Sequence, residues 1–307
     1  MSQPFIFIEH HSKNPFFNLA AESYLLHEFD ENIIFLYVNE PAVVVGKHQN
    51  AFEECQVEYC KENGIHVARR LSGGGTVFHG PGNLNFCFIK NGTDASKLID
   101  FKKHLEPVIQ FLHSIGIPAK YSGRNDILVD GYKISGNAEH VYSKKKRVIH
   151  HGTLLYDADL DSLRSSIAPK DHITFETHAV KSVRSKVKNI TAFLKQPFDF
   201  KSFNDQLRRF LSAHYAANTY KLNTVDLDAI NALIDTKFGT WDWNLGYSPK
   251  FTSIVNLPDQ DSLKLTVQKG IITSASSASQ QDSITSMLIG KPFTKEKFAL
   301  AGFDVVI

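Results

Sequence analysis

Three consecutive glycines at positions 73–75 constrain this chain more than any other feature of its sequence. Glycine loses more conformational freedom on folding than any other residue, so such a run weakens a helix or a strand and predicts a loop. Its bare N–H groups can form a concave anion site, and the preceding Arg69 and Arg70 would suit a phosphate or a carboxylate there. The spacing matches neither a P-loop nor a GxGxxG turn. A flexible loop beside an incidental arginine pair explains the glycines alone equally well.

Residues 82–89 have the period-two alternation of a strand. It places Asn83, Asn85 and Cys87 on one face and three apolar side chains on the other. Two amides on one face are able to contact a ligand. An edge strand with one face in water accounts for the same pattern.

The dipeptide Asp130-Gly131 between two β-branched runs is a strong hairpin signal. With these two residues as the turn, Asp126 lies opposite Ser135, on the same face as Lys133 and diagonal to it. Lys133 would carry positive charge to a reacting phosphate, and Asp126 would hold the lysine or a Mg²⁺ ion. Taken from the hairpin alone, an exposed ion pair contributing less than ~1 kcal/mol is the more ordinary interpretation.

Two histidines lie on the next predicted strand, and a run of basic residues precedes them. His150 and His151 are adjacent, so they point to opposite faces and at most one of them lines a given site. The basic run 144–147 predicts a turn in contact with solvent, which would also attract an acidic partner.

Composition narrows the class of protein. With 307 residues, 42% hydrophobic and 21% charged, the chain is long enough for two domains and too apolar to be disordered. A net charge of +2 provides no general attraction to nucleic acid or to an anionic membrane, so we expect neither as a partner. The three cysteines form no zinc or disulfide pattern, and we found no signal peptide or membrane span. We therefore expect a reduced, cytoplasmic protein, and a mature organellar form stays an alternative.

The order of predicted helices and strands is irregular, which favours an α+β fold over a doubly wound parallel sheet. Predicted helices include residues 53–63 and 97–115, the second kinked or split at Pro107. After residue 243 the pattern changes to short strands followed by a helix near 294–301. We place a domain boundary near residues 246–250, which gives a catalytic domain at 1–246 and a small accessory domain at 247–307.

Taken together, these motifs resemble the lipoate–protein ligase A family. The resemblance rests on RRLSGGGTVFHGPGNLNF, SGRNDILV, KISGNA and HHGTLL, which occur in that family's order and spacing, and continues through VRSKVKNI and TWDWNLGYSPKF. It covers about the first 250 residues. It implies the α+β catalytic fold of biotin and lipoate protein ligases, a mixed sheet with flanking helices like that of class II aminoacyl-tRNA synthetases. It also implies a small α+β C-terminal accessory domain.

The resemblance implies an enzyme that activates lipoate with ATP and Mg²⁺ to lipoyl-AMP. The lipoyl group then passes to a lysine of an acceptor, either a lipoyl domain of a 2-oxoacid dehydrogenase acyltransferase or the glycine cleavage H protein. The family's essential lysine corresponds to Lys133, and its nucleotide contacts correspond to Arg70, Gly75, Thr76, Val77 and Phe78. One departure is Gly80-Pro81, where many relatives carry an acidic residue, and we assign this position no role.

The remaining candidate residues combine the resemblance with the patterns above. The candidate ATP and lipoyl-AMP contacts also include Ser72, Gly73, Gly74, Asn83 and Asp126, and Asp126 is the candidate Mg²⁺ ligand. For lipoate we expect Arg70, Lys133 and His151, with an apolar slot formed by Val44, Val77 and Phe78.

Two related activities remain as alternatives. One is an octanoyltransferase of the same superfamily, which uses a cysteine nucleophile and no ATP; Cys87 lies away from the usual position of that cysteine. The other is a transferase that uses preformed lipoyl-AMP, which the sequence separates poorly from a full ligase. A non-enzymatic binding module is disfavoured by the presence of Lys133.

Overall fold

The computed structural model describes residues 4–170, 172–196, 198–257, 262–277 and 282–300. Its strands are β1 (Phe5–Glu9), β2 (Asn32–Tyr37), β3 (Ala42–Val45), β4 (His66–Arg69), β5 (Val77–His79), β6 (Asn83–Asn91), β7 (Lys120–Tyr121), β8 (Asp126–Val129), β9 (Tyr132–Tyr142), β10 (Arg147–Leu155), β11 (Ile173–Glu176), β12 (Asn218–Lys221), β13 (Phe251–Asn256), β14 (Ser262–Gln268) and β15 (Ile271–Ser277).

The helices alternate irregularly with these strands. They are α1 (Pro15–Glu28), α2 (Ala51–Glu54), α3 (Val57–Glu62), α4 (Phe101–Ser114), α5 (Leu160–Ser166), α6 (Phe200–Tyr215), α7 (Thr224–Leu233), α8 (Trp241–Asn244), α9 (Asp282–Leu288) and α10 (Lys295–Leu300). Short 3₁₀ turns cover Ala95–Lys97, Ser143–Lys145 and Ile190–Phe193, and a π-helical turn covers Ile234–Phe238. Among the described residues, no helix is long and apolar enough to cross a membrane.

An eight-stranded mixed sheet forms the centre of the protein, in the order β12-β1-β2-β6-β10-β9-β8-β7. The pairs β12–β1 and β1–β2 are parallel, and the other pairs are antiparallel. Alternation along β6 sends Phe86 and Phe88 to the face covered by α4 and α6, and Cys87 and Ile89 to the face covered by α1 and α7. Apolar side chains thus fill both faces of the sheet. The predicted α+β class, with a mixed sheet and flanking helices, is confirmed.

Two smaller sheets flank this layer. One has the order β4-β3-β5 and packs on α2 and α3 through a cluster that includes Phe78 and Val45. The other has the order β11-β13-β14-β15, so three strands from the end of the chain pair with one strand from residues 173–176. Phe52 of α2 joins its core beside Phe251 and Phe293.

Two helix predictions were wrong in detail. The helix expected over residues 53–63 is two short helices, α2 and α3. Asn50 caps α2 by accepting the Phe52 N–H, and Cys55 is extended, so the Gln56 N–H bonds the Ser166 carbonyl instead of continuing a helix.

The helix expected at residues 97–115 begins at Phe101 because Asp100 caps it, accepting the Lys103 N–H at 3.0 Å. It runs through Pro107 without the expected break. Proline removes one hydrogen bond to the carbonyl four residues earlier. Here that carbonyl belongs to exposed Lys103, where water can replace the lost donor.

The basic run at 144–147 was predicted to be in contact with solvent, but one of its four residues is not. Three lysines are exposed, but Arg147 is fully buried. Its guanidinium donates to the carbonyls of Leu25, Leu26 and Phe29 at the end of α1. Arg147 therefore satisfies helix carbonyls that have no partner within the helix, a contact that the neighbouring lysines concealed in the sequence.

Candidate functional site

The three-glycine run forms a tight loop between β4 and β5. Gly74 has a φ of +87°, a conformation that other residues rarely adopt. The loop also passes close to Gly46, where a side chain would place its Cβ 2.1 Å from the Gly74 carbonyl oxygen. Glycine is needed at these positions for backbone conformation and close approach, so the loop is not an incidental flexible connection.

The two arginines before this loop have different roles. Arg69 is fully buried away from the cleft, and it donates to the carbonyls of Gly46, Gln49 and Asn244. The expectation that both arginines face an anion was wrong, because adjacent residues leaving a strand point to opposite sides.

Arg70 organises the glycine loop directly. Its Nη2 donates to the Gly73 and Gly75 carbonyls at 2.7 Å each, its Nη1 to Val44, and its Nε to the Ser72 hydroxyl at 3.0 Å. A guanidinium has five N–H donors and four are used here, so one is left for a ligand. Burial lowers the pKa of Arg70 to about 10, which leaves it charged at neutral pH.

A chain of buried hydrogen bonds continues from Arg70 into the protein. The Ser72 Oγ lies 2.6 Å from His151 Nε2, and His151 Nδ1 lies 2.7 Å from a carboxylate oxygen of Glu22. The other Glu22 oxygen accepts the Tyr37 hydroxyl at 3.0 Å. Every member is satisfied if the imidazole is neutral and donates from Nδ1. Such a connected network fixes the orientation of each side chain.

The β8–β9 hairpin presents Lys133 and Asp126 together. Asp130 and Gly131 form the predicted turn, with Lys133 opposite Leu128. A bulge after Ile127 shifts the register, so Asp126 pairs with Gly136 and the expectation that it lies opposite Ser135 was wrong. The two side chains nevertheless meet, with Lys133 Nζ 2.9 Å from Asp126 Oδ1 and about a fifth of each side chain exposed.

An irregular stretch of chain, the covering segment (residues 177–189), closes over this hairpin and the glycine loop. The Lys133 N–H donates to the Lys186 carbonyl at 2.8 Å. Ser182 Oγ accepts the Thr76 N–H at 2.8 Å and the Gln49 amide at 3.0 Å, and it donates to Glu54. These bonds attach the covering segment to the loop and to α2.

Two adjoining clefts lie beneath the covering segment. The inner cleft encloses about 890 Å³ including its mouth, and the outer cleft about 1970 Å³. Apolar Leu19 and Val44 line the inner cleft, whereas Leu155, Leu163 and Ile167 line the outer one. Lys133, Thr76 and Val77 line both, so Lys133 lies where the clefts meet.

Most of the residues singled out from the sequence surround these clefts. The inner cleft is lined by Arg70, Gly74, Gly75, Thr76, Val77, Asp126, Lys133 and His151. Phe78 lines only the outer cleft and packs against the three-stranded sheet. Ser72 and Gly73 contact Arg70 from behind the cleft wall. Asn83 lines neither cleft; its amide donates to Asn85, which does line the inner one.

Several residues that form or support the clefts were missed in the sequence. Tyr37 of β2 lines the inner cleft, Glu54 of α2 lines the outer one, and Ser182 of the covering segment lines both. Glu22 of α1 and Gln49 lie behind the lining and hydrogen-bond to His151 and Thr76. The acidic Glu22 within an otherwise apolar stretch of α1 was the one available signal, because a buried carboxylate needs partners.

Burial also sets the protonation of two groups near the inner cleft. It lowers the pKa of His79 to about 3, with the charges of Arg70 and His151 adding to the effect. It raises the pKa of the Cys87 thiol well above its usual value, so Cys87 is not a thiolate at neutral pH.

The sequence is similar to curated proteins that are named as lipoate–protein ligases. It is 44% identical over 253 residues to the lipoate-protein ligase LplJ of Bacillus subtilis, covering 80% of this chain and 75% of the relative. It is 38% identical over 240 residues to lipoate–protein ligase 1 of Staphylococcus aureus, covering 78% and 72%.

Solved structures agree with these relatives. A lipoate-protein ligase A bound with ATP has a TM-score of 0.66 and 26% identity, covering 80% of this chain and 100% of that chain. A lipoate protein ligase from Thermoplasma acidophilum with bound lipoic acid has the same score and identity, covering 80% and 99%. The ligase from an archaeal lipoylation system, studied with its E2 lipoyl domain, has a TM-score of 0.67 and 25% identity, covering 80% and 97%.

A protein-family profile also matches most of the chain. The profile described as the lipoyl protein ligase A/B catalytic domain matches residues 14–212, which include the glycine loop, the hairpin with Lys133 and the covering segment. The resemblance predicted from the sequence motifs is thereby confirmed, and the chain belongs to the lipoyl protein ligase A/B catalytic domain family.

Proposed function

We propose that this protein is an ATP-dependent lipoate–protein ligase. It joins the lipoate carboxylate to the α-phosphate of ATP, releasing pyrophosphate, and then passes the lipoyl group from lipoyl-AMP to an acceptor lysine, releasing AMP. The observation that carries the proposal is the position of Lys133, an ammonium held by Asp126 at the junction of two clefts. The relatives named as lipoate–protein ligases and the ATP-bound and lipoic acid-bound structures support it.

Lys133 acts on the charge that both steps develop. In the first step negative charge grows on the phosphoryl oxygens as the carboxylate attacks, and in the second it grows on the carbonyl oxygen as the amine attacks. A cation fixed in a site shielded from water stabilises such charge in the transition state more than in the ground state. Asp126 keeps the ammonium in place between the two steps.

The two clefts divide the ligands between them. The lipoyl tail occupies the inner cleft, against Leu19 and Val44, with its carboxylate towards Lys133 and Arg70. The adenylate lies across the glycine loop and extends into the outer cleft beside Phe78. Gly74 and Gly75 offer backbone N–H groups to phosphate, whereas the Thr76 N–H already donates to Ser182 and Thr76 contacts the adenylate from the cleft wall. Ser72 and His151 hold Arg70 in position, and the roles of Gly73 and Asn83 as contacts remain proposals.

Asp126 fits the requirement of a magnesium site. Mg²⁺ prefers carboxylate oxygens and is bound with substrate phosphates by one or two carboxylates. Asp126 faces the inner cleft beside the glycine loop, so it would hold the ion through its carboxylate. The ion would neutralise phosphate charge when bound with ATP.

We propose lipoyl domains as acceptors, of the kind found in 2-oxoacid dehydrogenase acyltransferases, together with the glycine cleavage H protein. The archaeal ligase studied with its E2 lipoyl domain supports the first of these. We place the protein in the cytoplasm, because its three cysteines are all buried free thiols.

We also propose that residues 1–246 form the catalytic domain and residues 247–307 an accessory domain. The apolar cluster of β13–β15, which includes Phe293 and Phe298, supports a separate core. Strand β11 completes the sheet of the proposed accessory domain, and Phe52 of α2 completes its core. The accessory domain is therefore anchored to α2. The same helix also holds the covering segment, because Glu54 accepts a hydrogen bond from it.

The octanoyltransferase alternative requires a reactive cysteine in the cleft. Cys87 is buried in the sheet with a raised thiol pKa, and neither cleft is lined by a cysteine of the described chain. Replacing it, as Cys87→Ser, should leave lipoylation largely intact. An inactive variant together with a trapped acyl-cysteine in the wild type would favour the alternative.

A test by intact-mass measurement separates a full ligase from a transferase of preformed lipoyl-AMP. The purified chain is incubated with an unmodified E2 lipoyl domain and either lipoate, ATP and Mg²⁺ or lipoyl-AMP alone. A full ligase lipoylates the acceptor in both mixtures. Modification in the lipoyl-AMP mixture alone would replace the proposal with the transferase, and modification in neither would reject both.

A further inference from the structure

A second polar cluster lies on the opposite face of the central sheet from the inner cleft. Glu139 of β9 and His150 of β10 are directly opposite each other in the ladder, and His104 of α4 packs above them. The side chains are almost completely buried, with exposed fractions of 1% for Glu139, 0% for His150 and 6% for His104. The adenylation chemistry uses none of these three residues.

The three groups converge closely. The Nδ1 atoms of His104 and His150 each lie 2.8 Å from the same oxygen of Glu139, Oε1. One candidate ligand atom from each residue lies within 4.8 Å of the others. Two imidazoles and one carboxylate on one centre are the ligand set of several zinc sites with a water as fourth ligand.

The surroundings hold this set rigidly. The second Glu139 oxygen accepts the Asp100 N–H at 3.1 Å, which fixes the plane of the carboxylate. The rings of Phe86 and Phe101 lie 5.9 and 5.7 Å from the His150 ring and exclude water from its side of the cluster. Glu139 thus has the outer hydrogen bond that usually orients a metal ligand, whereas His150 Nε2 is buried with no hydrogen-bond partner and packing alone orients that ring.

We propose that His104, Glu139 and His150 bind a divalent transition metal ion, with Zn²⁺ as the best match, and that the ion fastens α4 to the central sheet. On binding, metal bonds replace the two Nδ1–H···Oε1 hydrogen bonds, and the proton of each neutral ring moves from Nδ1 to Nε2, so that both rings bind the ion as neutral imidazoles. Imidazole nitrogens favour Zn²⁺ or Co²⁺ over Mg²⁺ and Ca²⁺, which prefer oxygen ligands. This site is separate from the Mg²⁺ position proposed at Asp126.

The test uses the full chain without an affinity tag, stripped with EDTA and desalted. Co²⁺ is titrated while its visible absorption is followed, and Zn²⁺ is then added as a competitor. The proposal predicts saturation at one equivalent per chain, displacement by Zn²⁺, no displacement by millimolar Mg²⁺, and a higher unfolding temperature with Zn²⁺. No saturable binding at micromolar metal would overturn it.

Variants locate the ion. His104→Gln and Glu139→Gln should each lose stoichiometric binding and the Zn²⁺-dependent rise in unfolding temperature. His113→Gln is the matched control, because His113 is an exposed histidine of the same helix. Unchanged binding in both test variants would contradict the proposal.

A measurement on the wild type keeps the test valid if these variants fail to fold. Zn²⁺ is titrated into ¹⁵N-histidine-labelled protein. Two imidazole Nδ1 resonances should shift and the remaining histidines should not. Shifts at other histidines alone would show an adventitious surface site and reject the proposal.

Discussion

Lys133 Nζ and Asp126 Oδ1 lie 2.9 Å apart, at the point where the inner and outer clefts meet. The bulge after Ile127 brings Asp126 alongside Gly136, whose missing side chain leaves room for the Lys133 chain: a Cβ there would lie 3.0 Å from Lys133 Nζ. The Lys133 ammonium is therefore positioned by the bulge, by the Asp126 carboxylate and by the absence of a side chain at Gly136, all within one hairpin. Its charge is available to a ligand from either cleft.

Asp126→Asn should slow lipoyl-AMP formation roughly 10- to 100-fold, because it removes the negative partner that holds the Lys133 ammonium at the junction of the clefts. If Asp126 also binds Mg²⁺, the half-saturating Mg²⁺ concentration should rise. Single-turnover kinetics over a Mg²⁺ titration measure both effects. Asp130→Asn in the same hairpin is the control, since asparagine tolerates the positive φ of the turn. Wild-type rates in Asp126→Asn would contradict the assignment.

Ser72→Ala should raise the KM for lipoate more than it lowers kcat. The hydroxyl links Arg70 to His151, and its loss leaves two buried polar groups without that partner. The free energy of unfolding should fall by about 1–3 kcal/mol. Steady-state kinetics and urea unfolding provide the two readouts, and Ser96→Ala at an exposed serine is the control. An unchanged KM would show that the network does not position the lipoate contacts.

Ser182→Ala should shorten the lifetime of bound lipoyl-AMP. Ser182 connects the covering segment to Thr76, Gln49 and Glu54, so its loss weakens the closure of both clefts. The adenylate is formed in the enzyme and its retention is followed after rapid gel filtration. Ser165→Ala on α5 should retain it as the wild type does. Equal retention in Ser182→Ala would exclude the covering segment as the barrier to release.

His79 should make stability depend on pH. Its pKa is about 3 in the folded protein and 6.5 in the unfolded chain, so below pH 6.5 the unfolded state takes up the proton first. Stability from this group is complete above pH 6.5 and is lost as the pH falls towards 3, with about 2 kcal/mol lost at pH 5.

Urea unfolding at pH 7 and pH 5 measures the effect of His79, with His79→Gln as comparison because glutamine still offers an acceptor to Asn39. The stability advantage of the wild type over the variant should shrink by about 2 kcal/mol between the two pH values. The same advantage at both values would disprove the contribution of His79.

Local patterns predicted the parts of the site that depend on local backbone. Asp130-Gly131 specified the turn that presents Lys133, and the glycine run specified the loop. The register of Asp126 was not predictable, because a one-residue bulge shifts pairing without altering the hydrophobic pattern. For Arg69 and Arg70, adjacency in the sequence concealed opposite orientations.

Groups brought from distant parts of the chain were beyond prediction. Glu22 meets His151 across 129 positions, and Ser182 meets Glu54 across 128. The sequence around Glu22 or Ser182 does not indicate which distant residue its side chain contacts. Arg147 belongs with them, since its helix-capping role depends on where α1 ends in space.

Lipoate-dependent exchange of labelled pyrophosphate into ATP tests the central claim most directly, because it reports the first step without an acceptor. The wild-type chain should catalyse exchange only with lipoate and Mg²⁺ present. Lys133→Ala should lose it by a factor on the order of 10²–10³, the cost of removing a comparable transition-state contact, while its unfolding transition stays cooperative. Lys120→Ala, at an exposed lysine of β7, should behave as the wild type. Exchange at the wild-type rate in folded Lys133→Ala, or no exchange by the wild type, would contradict the account.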